Sequence, residues 1–344
     1  MINFRFHLVS LIAVFLALAV GVVVGSTVID RAIVDGLESQ IDRVERNVSE
    51  ARQESSDLRS RLHDVEQYAE QVSPLAVQGR LIEVPVTLLA VRGVDDGTVR
   101  AAVDVLRDAG ADVPAVLWLE PAWDLSSEEQ RETIRDLVDG PDMTAATARR
   151  ALIRQLAERL AVPAAEVPAA QVALTRQGDD PASSSTTSSA VEREPGEEVA
   201  VDLLVAMVET DFLSVETVGG PDVDLTAYPP AGARAVVVDW VGGDVQAETL
   251  LVPLVTALDA VGVPTLAASV DRGGDDPPGA VLAGVRGDAE LSDRVATVDS
   301  LQSIRGRVAL VAALERLGDG DVGHYGAGDR ASRQVPEVEE VQAG

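Results

Sequence analysis

Apolar and polar positions along this chain fall into three regimes. From Leu8 to Ile29 the stretch LVSLIAVFLALAVGVVVGSTVI runs 22 residues without a charge. At about 1.5 Å per helical residue, that length crosses a hydrocarbon core of about 30 Å. From Val34 onward, apolar or small residues recur at alternating steps of three and four. Beyond Gly79, short apolar runs alternate with helical stretches.

The flanks of the first regime orient it. Arg5 and the amino terminus precede the span, while Asp30, Arg31, Asp35 and Glu38 follow it. This balance predicts a cytoplasmic tail at residues 1–7, an uncleaved signal anchor at 8–29, and export of the remainder to a periplasm-like space. The competing reading is a cleaved signal peptide, since Ala17-Leu18-Ala19 fits the small-x-small pattern. Cleavage there would leave Val20 to Ile29 as an exposed apolar stub, which favours the anchor.

The second regime, residues 30–76, reads as a coiled-coil stalk. Its seam comprises Val34, Leu37, Ile41, Val44, Val48, Ala51, Ser55, Leu58, Leu62, Val65, Ala69 and Val72, with Ser55 the polar exception. A 3.5-residue repeat faces a partner continuously only if the two helices supercoil. In a parallel homodimer, position g faces position e five residues on in the other chain. Glu54 then meets Arg59 and Arg61 meets Glu66, and both pairs attract. The alternatives are a partner coiled coil from another protein, or a single long helix folded back on its own globular part. Pro74 forfeits a backbone bond and Gly79 follows it, so the helix is expected to stop at Pro74.

The third regime, residues 80–328, predicts an extracytoplasmic α/β domain with a doubly wound, Rossmann-like sheet, parallel or mixed. Strands are expected at Val86 to Val91, Val113 to Leu119, Ala235 to Asp239, Thr265 to Val270 and Val295 to Val298. Their continuous Val/Leu/Ala character suits strands covered on both faces. Helices are expected near Asp96 to Ala109, with Gly110 at the C-cap, at Ser127 to Val138 after a cap at Ser126, and at Thr144 to Leu160. Others follow near Val199 to Val208, Ala247 to Val261 and Leu301 to Leu317, the last closed by Gly318. Residues 176–198 are Ser/Thr/Glu-rich and read as a disordered insertion, and residues 329–344 as a flexible tail.

Composition narrows the chemistry. The formal net charge is -29, from 57 acidic against 28 basic residues, which opposes nucleic-acid binding. Every basic residue among the 28 is arginine, so Schiff-base and phosphate-loop lysine chemistry is excluded. Cysteine is absent, which removes disulfides, thiolate nucleophiles and thiolate metal sites. No dinucleotide, phosphate-loop, nucleophile-elbow or zinc-protease motif occurs, so neither an enzyme nor a cofactor is expected.

Weaker clusters remain. Asp239, Asp271 and Asp299 each follow an expected strand, where doubly wound folds place their sites, and converging carboxylates hold hard cations such as Mg²⁺ or Ca²⁺. The plainer reading is that they cap the next helices, as Asp299 before Ser300 suggests. His324, flanked by glycines in Gly323-His324-Tyr325-Gly326, suits a tight turn and is a further metal candidate. A general base there would need an orienting carboxylate.

Three stretches carry a resemblance to a known family. They are the opening MINFRFHLVSLIAVFLALAVGVVVGS, the segment VATVDS at Val295 to Ser300 with GRVALVAAL at Gly306 to Leu314, and GHYG at Gly323 to Gly326. In this order they resemble the MctB-type copper transport family of actinobacteria, which includes regulators of cell-wall hydrolases. The resemblance implies a membrane-bound envelope protein of copper efflux or homeostasis, or alternatively a scaffold that recruits or activates an envelope hydrolase during cell separation. The residues offer little soft ligation for Cu(I): Met143, Met207, His63 and His324 in the exported part. An aromatic content of 3% also argues against a transmembrane barrel.

Overall fold

The computed structural model describes residues 4–162, 172–173, 200–220, 222–240, 247–271, 279–326 and 331–332. Side chains are described for all of these except 4, 26–39, 42, 172–173, 200–201 and 247. The expected insertion at 176–198 and most of the expected tail at 329–344 lie outside the described residues, as do the side chains of Val34 and Leu37. The chain divides into two compact units, Met1–Tyr68 and Ala69–Gly344.

The first unit is helical throughout its described length, within helix α1 (Phe4–Val77). Its segment Arg5–Gly25 is long and apolar enough to cross a membrane, and none of it is buried. Farther along, Ile41, Val44, Val48, Leu58, Leu62 and Val65 are all exposed.

The end of α1 belongs to the second unit and corrects the expected stop at Pro74. The helix continues to Val77 with Pro74 inside it, and the Gln78 amide donates to the Pro74 carbonyl at 2.9 Å. Proline lacks one donor and crowds the preceding turn, but three further residues close on its carbonyl side. Gly79, at φ 79°, turns the chain instead. Val77 and Leu81 are fully buried, and Arg80 pairs with Glu315 at 2.7 Å.

The rest of this unit is a mixed α/β fold. Its parallel strands are β1 (Val86–Val91), β2 (Ala115–Leu119), β6 (Arg234–Trp240), β7 (Thr265–Val270), β8 (Ala296–Val298) and β9 (His324–Tyr325). One antiparallel strand, β5 (Leu213–Thr217), edges the sheet, whose order is β5-β2-β1-β6-β7-β8-β9. A separate short pair joins β3 (Val172–Ala173) to β4 (Ala200–Val201). The six parallel strands therefore read 2-1-3-4-5-6 in their own chain order, and the first five follow the flavodoxin-like winding.

Helices α2 (Asp96–Asp108) and α9 (Ile304–Gly318) pack together. Helices α4 (Ala145–Ala161), α6 (Val252–Ala260) and α7 (Ala280–Gly287) form another layer, with α3 (Glu128–Leu137) and α5 (Leu203–Glu209) beside α4 and the short α8 (Ala289–Ser292) against α7. All six residues of β1 and the middle five of β6 are buried, as expected of strands covered on both faces.

Local chemistry explains the boundaries. Helix α3 starts at a capping box one residue later than expected: Ser127 Oγ accepts from the Gln130 amide, and the Gln130 side chain accepts from the Ser127 amide. Gly110, at φ 92°, follows the C-cap of α2. Gly318 stays inside α9, and Gly320 takes the positive φ beyond it. The helix expected from Ala247 opens with a π turn, Ala247–Leu251, before α6. The helix expected from Val199 begins at Leu203, capped by Asp202.

Two of the elements absent from the sequence reading bear on the packing. β5 alternates apolar and polar residues, and only its first is buried, because it lies at an edge. Helix α7 contains Gly284, a weak helix former. A Cβ at Gly284 would lie 2.7 Å from Val252 Cγ2, so glycine there lets α7 approach α6.

Candidate functional site

In a doubly wound sheet, ligands sit beyond the carboxyl ends of the strands. Here that edge carries Asp239 on β6, Asp271 after β7, Asp299 after β8 and His324 on β9. The structure brings all four residues to one edge but gives each a partner of its own.

Asp239 is 3% exposed. Its Oδ1 accepts from the Trp240 amide at 2.7 Å and its Oδ2 from the Val281 amide at 3.1 Å, in the first turn of α7. Burial pushes its carboxyl up from the usual carboxylate value, and the two amide bonds oppose that shift. Capping is thus its role, on a helix later in the chain than the one expected. Asp271 Oδ2 accepts from Ser300 Oγ at 2.5 Å, and its other oxygen takes the Gln302 side-chain amide.

Asp299 does not cap α9, because Ser303 is the N-cap there and its hydroxyl accepts from the Gly306 amide. Instead Asp299 Oδ2 faces the Arg286 guanidinium at 3.3 Å, with side-chain exposures of 3% and 2%. The guanidinium of Arg286 also donates to Thr297 Oγ1 at 2.8 Å and to the Tyr325 carbonyl at 3.2 Å. Burial lowers the pKa of Arg286, and the Asp299 carboxylate opposes that shift without cancelling it. The group remains a cation because its ordinary value is so high. A Cβ on Gly326 would collide with the Asp299 carboxylate, so only glycine fits there.

His324 occupies strand β9 rather than a free turn, paired with Thr297 in register. Its Nδ1 lies 2.9 Å from Thr297 Oγ1. That hydroxyl already accepts from Arg286, so it can donate to the imidazole and favour the neutral ring. Burial, then the nearby Arg286 charge, holds the His324 imidazole below its usual value.

At the β1 side of the edge, Arg92 stacks 4.3 Å over the Trp118 ring and donates to Glu120 at 2.8 Å and Ser214 at 2.7 Å. The N-terminus of α2 is closed by Asp95, whose Oδ2 accepts from the Thr98 amide and hydroxyl, both at 2.8 Å. A dinucleotide fold would present that terminus to phosphate. Helices α2, α7 and α9 thus all have this end filled by the chain's own Asp95, Asp239 and Ser303. Among the described residues, no group of three or more His, Asp or Glu is arranged to hold a metal ion.

Arg286 and Arg92 organise this edge, and sequence reasoning missed both. Arg286 lies in a helix that was not expected, and its burial depends on a long-range partner. Arg92 directly follows an expected strand, which is the position that could have flagged it.

Two predictions follow from this packing. Replacing Asp299 with alanine strands a buried cation and should lower unfolding free energy by about 3–5 kcal/mol. The apolar pair Arg286→Met with Asp299→Leu should lose clearly less in the same urea titration. Separately, the unfolded chain binds a proton at His324 before the folded one does, so stability should fall as pH drops below about 6.5. Melting temperatures across pH 7 to 5 should show this loss, reduced in His324→Gln.

Known proteins resemble this chain along nearly its full length. A family described as copper transport outer membrane protein, MctB, matches residues 1–336. The copper transporters MctB of Mycobacterium bovis and Mycobacterium tuberculosis are each 27% identical to it over 337 residues, which cover 96% of this chain and 98% of the relative. With the apolar helix at Arg5–Gly25, this supports a membrane location. The chain belongs to the MctB family.

Proposed function

We propose that this chain serves copper homeostasis at the cell envelope as a single-span membrane protein, with an exported α/β head that works through a partner protein. The match to a copper transport family over residues 1–336 carries the copper part of this reading. The apolar helix at Arg5–Gly25 supports the anchor, and the charge balance around it supports export of the head.

The side chains favour a partner over direct copper handling. Cu(I) prefers sulfur donors, and the chain has no cysteine. Met207 is fully buried in the core, Met143 lies beside Gly140, and His324 is held by Thr297. His63 belongs to the other unit. These donors therefore sit on separate elements.

A second reading, that the head recruits or activates a cell-wall hydrolase, is favoured by a groove of about 570 Å³ between α4 and α6. Ile153, Val252, Pro253 and Ala257 line it together with Arg150, Arg154, Glu158 and Glu248. An open apolar surface of this kind suits a protein contact.

Deletion of the gene in its host should make growth copper-sensitive and raise cell-associated copper, with both restored by the intact chain. Unchanged tolerance and copper content, together with a cell-separation defect, would overturn the copper reading in favour of the second.

A further inference from the structure

We propose that the exposed face of α1 between Ile41 and Val65 docks a second copy of this chain, in parallel and in register. Six large apolar side chains on this face, Ile41, Val44, Val48, Leu58, Leu62 and Val65, are 41% to 64% exposed. Such a row on a solvated helix forfeits burial that a partner would restore, at about 25 cal/mol per Å².

The shape of the face identifies the partner's geometry. In a parallel pair, each knob enters a hole made by four residues of the facing helix. For the knob at position 55, heptad geometry makes that hole Ala51, Glu54, Ser55 and Leu58. For the knob at 58 it is Ser55, Leu58, Arg59 and Leu62. A surface groove of about 340 Å³ on α1 is lined by Ala51, Glu54, Ser55, Leu58, Arg59 and Leu62, the union of these two holes.

Charge selects a second copy over an unrelated helix. Glu54 and Arg59 flank the groove and would meet Arg59 and Glu54 of the other chain. One heptad on, Arg61 and Glu66 would do the same. An antiparallel pair would lose this match, and two chains anchored through the same N-terminal helix enter from one side. The dimer requires neither the copper reading nor the hydrolase reading.

The absence of cysteine makes the test clean. In the full-length chain reconstituted in lipid nanodiscs, Ser55→Cys places a thiol on the seam and Ser60→Cys places one on the outer face. A disulfide needs Cα atoms within about 7 Å, which facing seam positions approach and outer positions do not. Mild oxidation should convert most of S55C to a covalent dimer and leave S60C single. Adding Glu54→Arg to S55C should cut the yield severalfold, and adding Arg59→Glu as well should restore it. Equal cross-linking of S55C and S60C, or none in either, would overturn the proposal. Indifference to the charge changes would also overturn it.

Discussion

A parallel sheet covered on both faces offers no place along its strands for a charge, so polar groups collect where the strands end and must be satisfied there. The fold of the second unit is arranged around this constraint. The buried Arg286–Asp299 pair ties α7 to the end of β8, with Thr297 and the Tyr325 carbonyl accepting further guanidinium hydrogens. Asp239 fastens the start of α7 to β6 in the same way. At the edge where this architecture usually admits a ligand, the N-termini of α2, α7 and α9 and the buried ion pair are, among the described residues, satisfied by the chain's own side chains.

The alternation of helices and strands was legible because it rests on local pattern. Val86–Val91 and Thr265–Val270 were read to the residue, since continuous apolar runs admit few other interpretations. β5 was lost because an edge strand is half polar, and α7 because glycines and a buried arginine disguise its apolar face. The carboxylates were legible as positions but not as roles. Asp299 looked like a helix cap, and only the fold reveals that a helix some dozen residues earlier delivers the guanidinium that it neutralises. Pro74 misled for the opposite reason: a strong local signal was overridden by the docking of Val77 and Leu81 into the core.

Elsewhere among the described residues, apolar surface is left facing water. The stretch from Arg5 to Gly25 suits lipid, the heptad face of α1 suits another helix, and the groove between α4 and α6 suits a protein. Membership in a copper transport family then poses a physical question, since a carrier of Cu(I) would be expected to cluster sulfur donors. This chain spreads its few donors over separate elements, and for that reason the proposed copper role is one exercised through contact with other molecules.

The most direct test of that account removes the donors. A full-length chain carrying His63→Gln, Met143→Leu, Met207→Leu and His324→Gln should restore copper tolerance to a deletion strain as well as the unaltered chain does, at equal abundance. Failure of that variant to restore tolerance, while it remains folded and membrane-bound, would show that these side chains handle copper themselves.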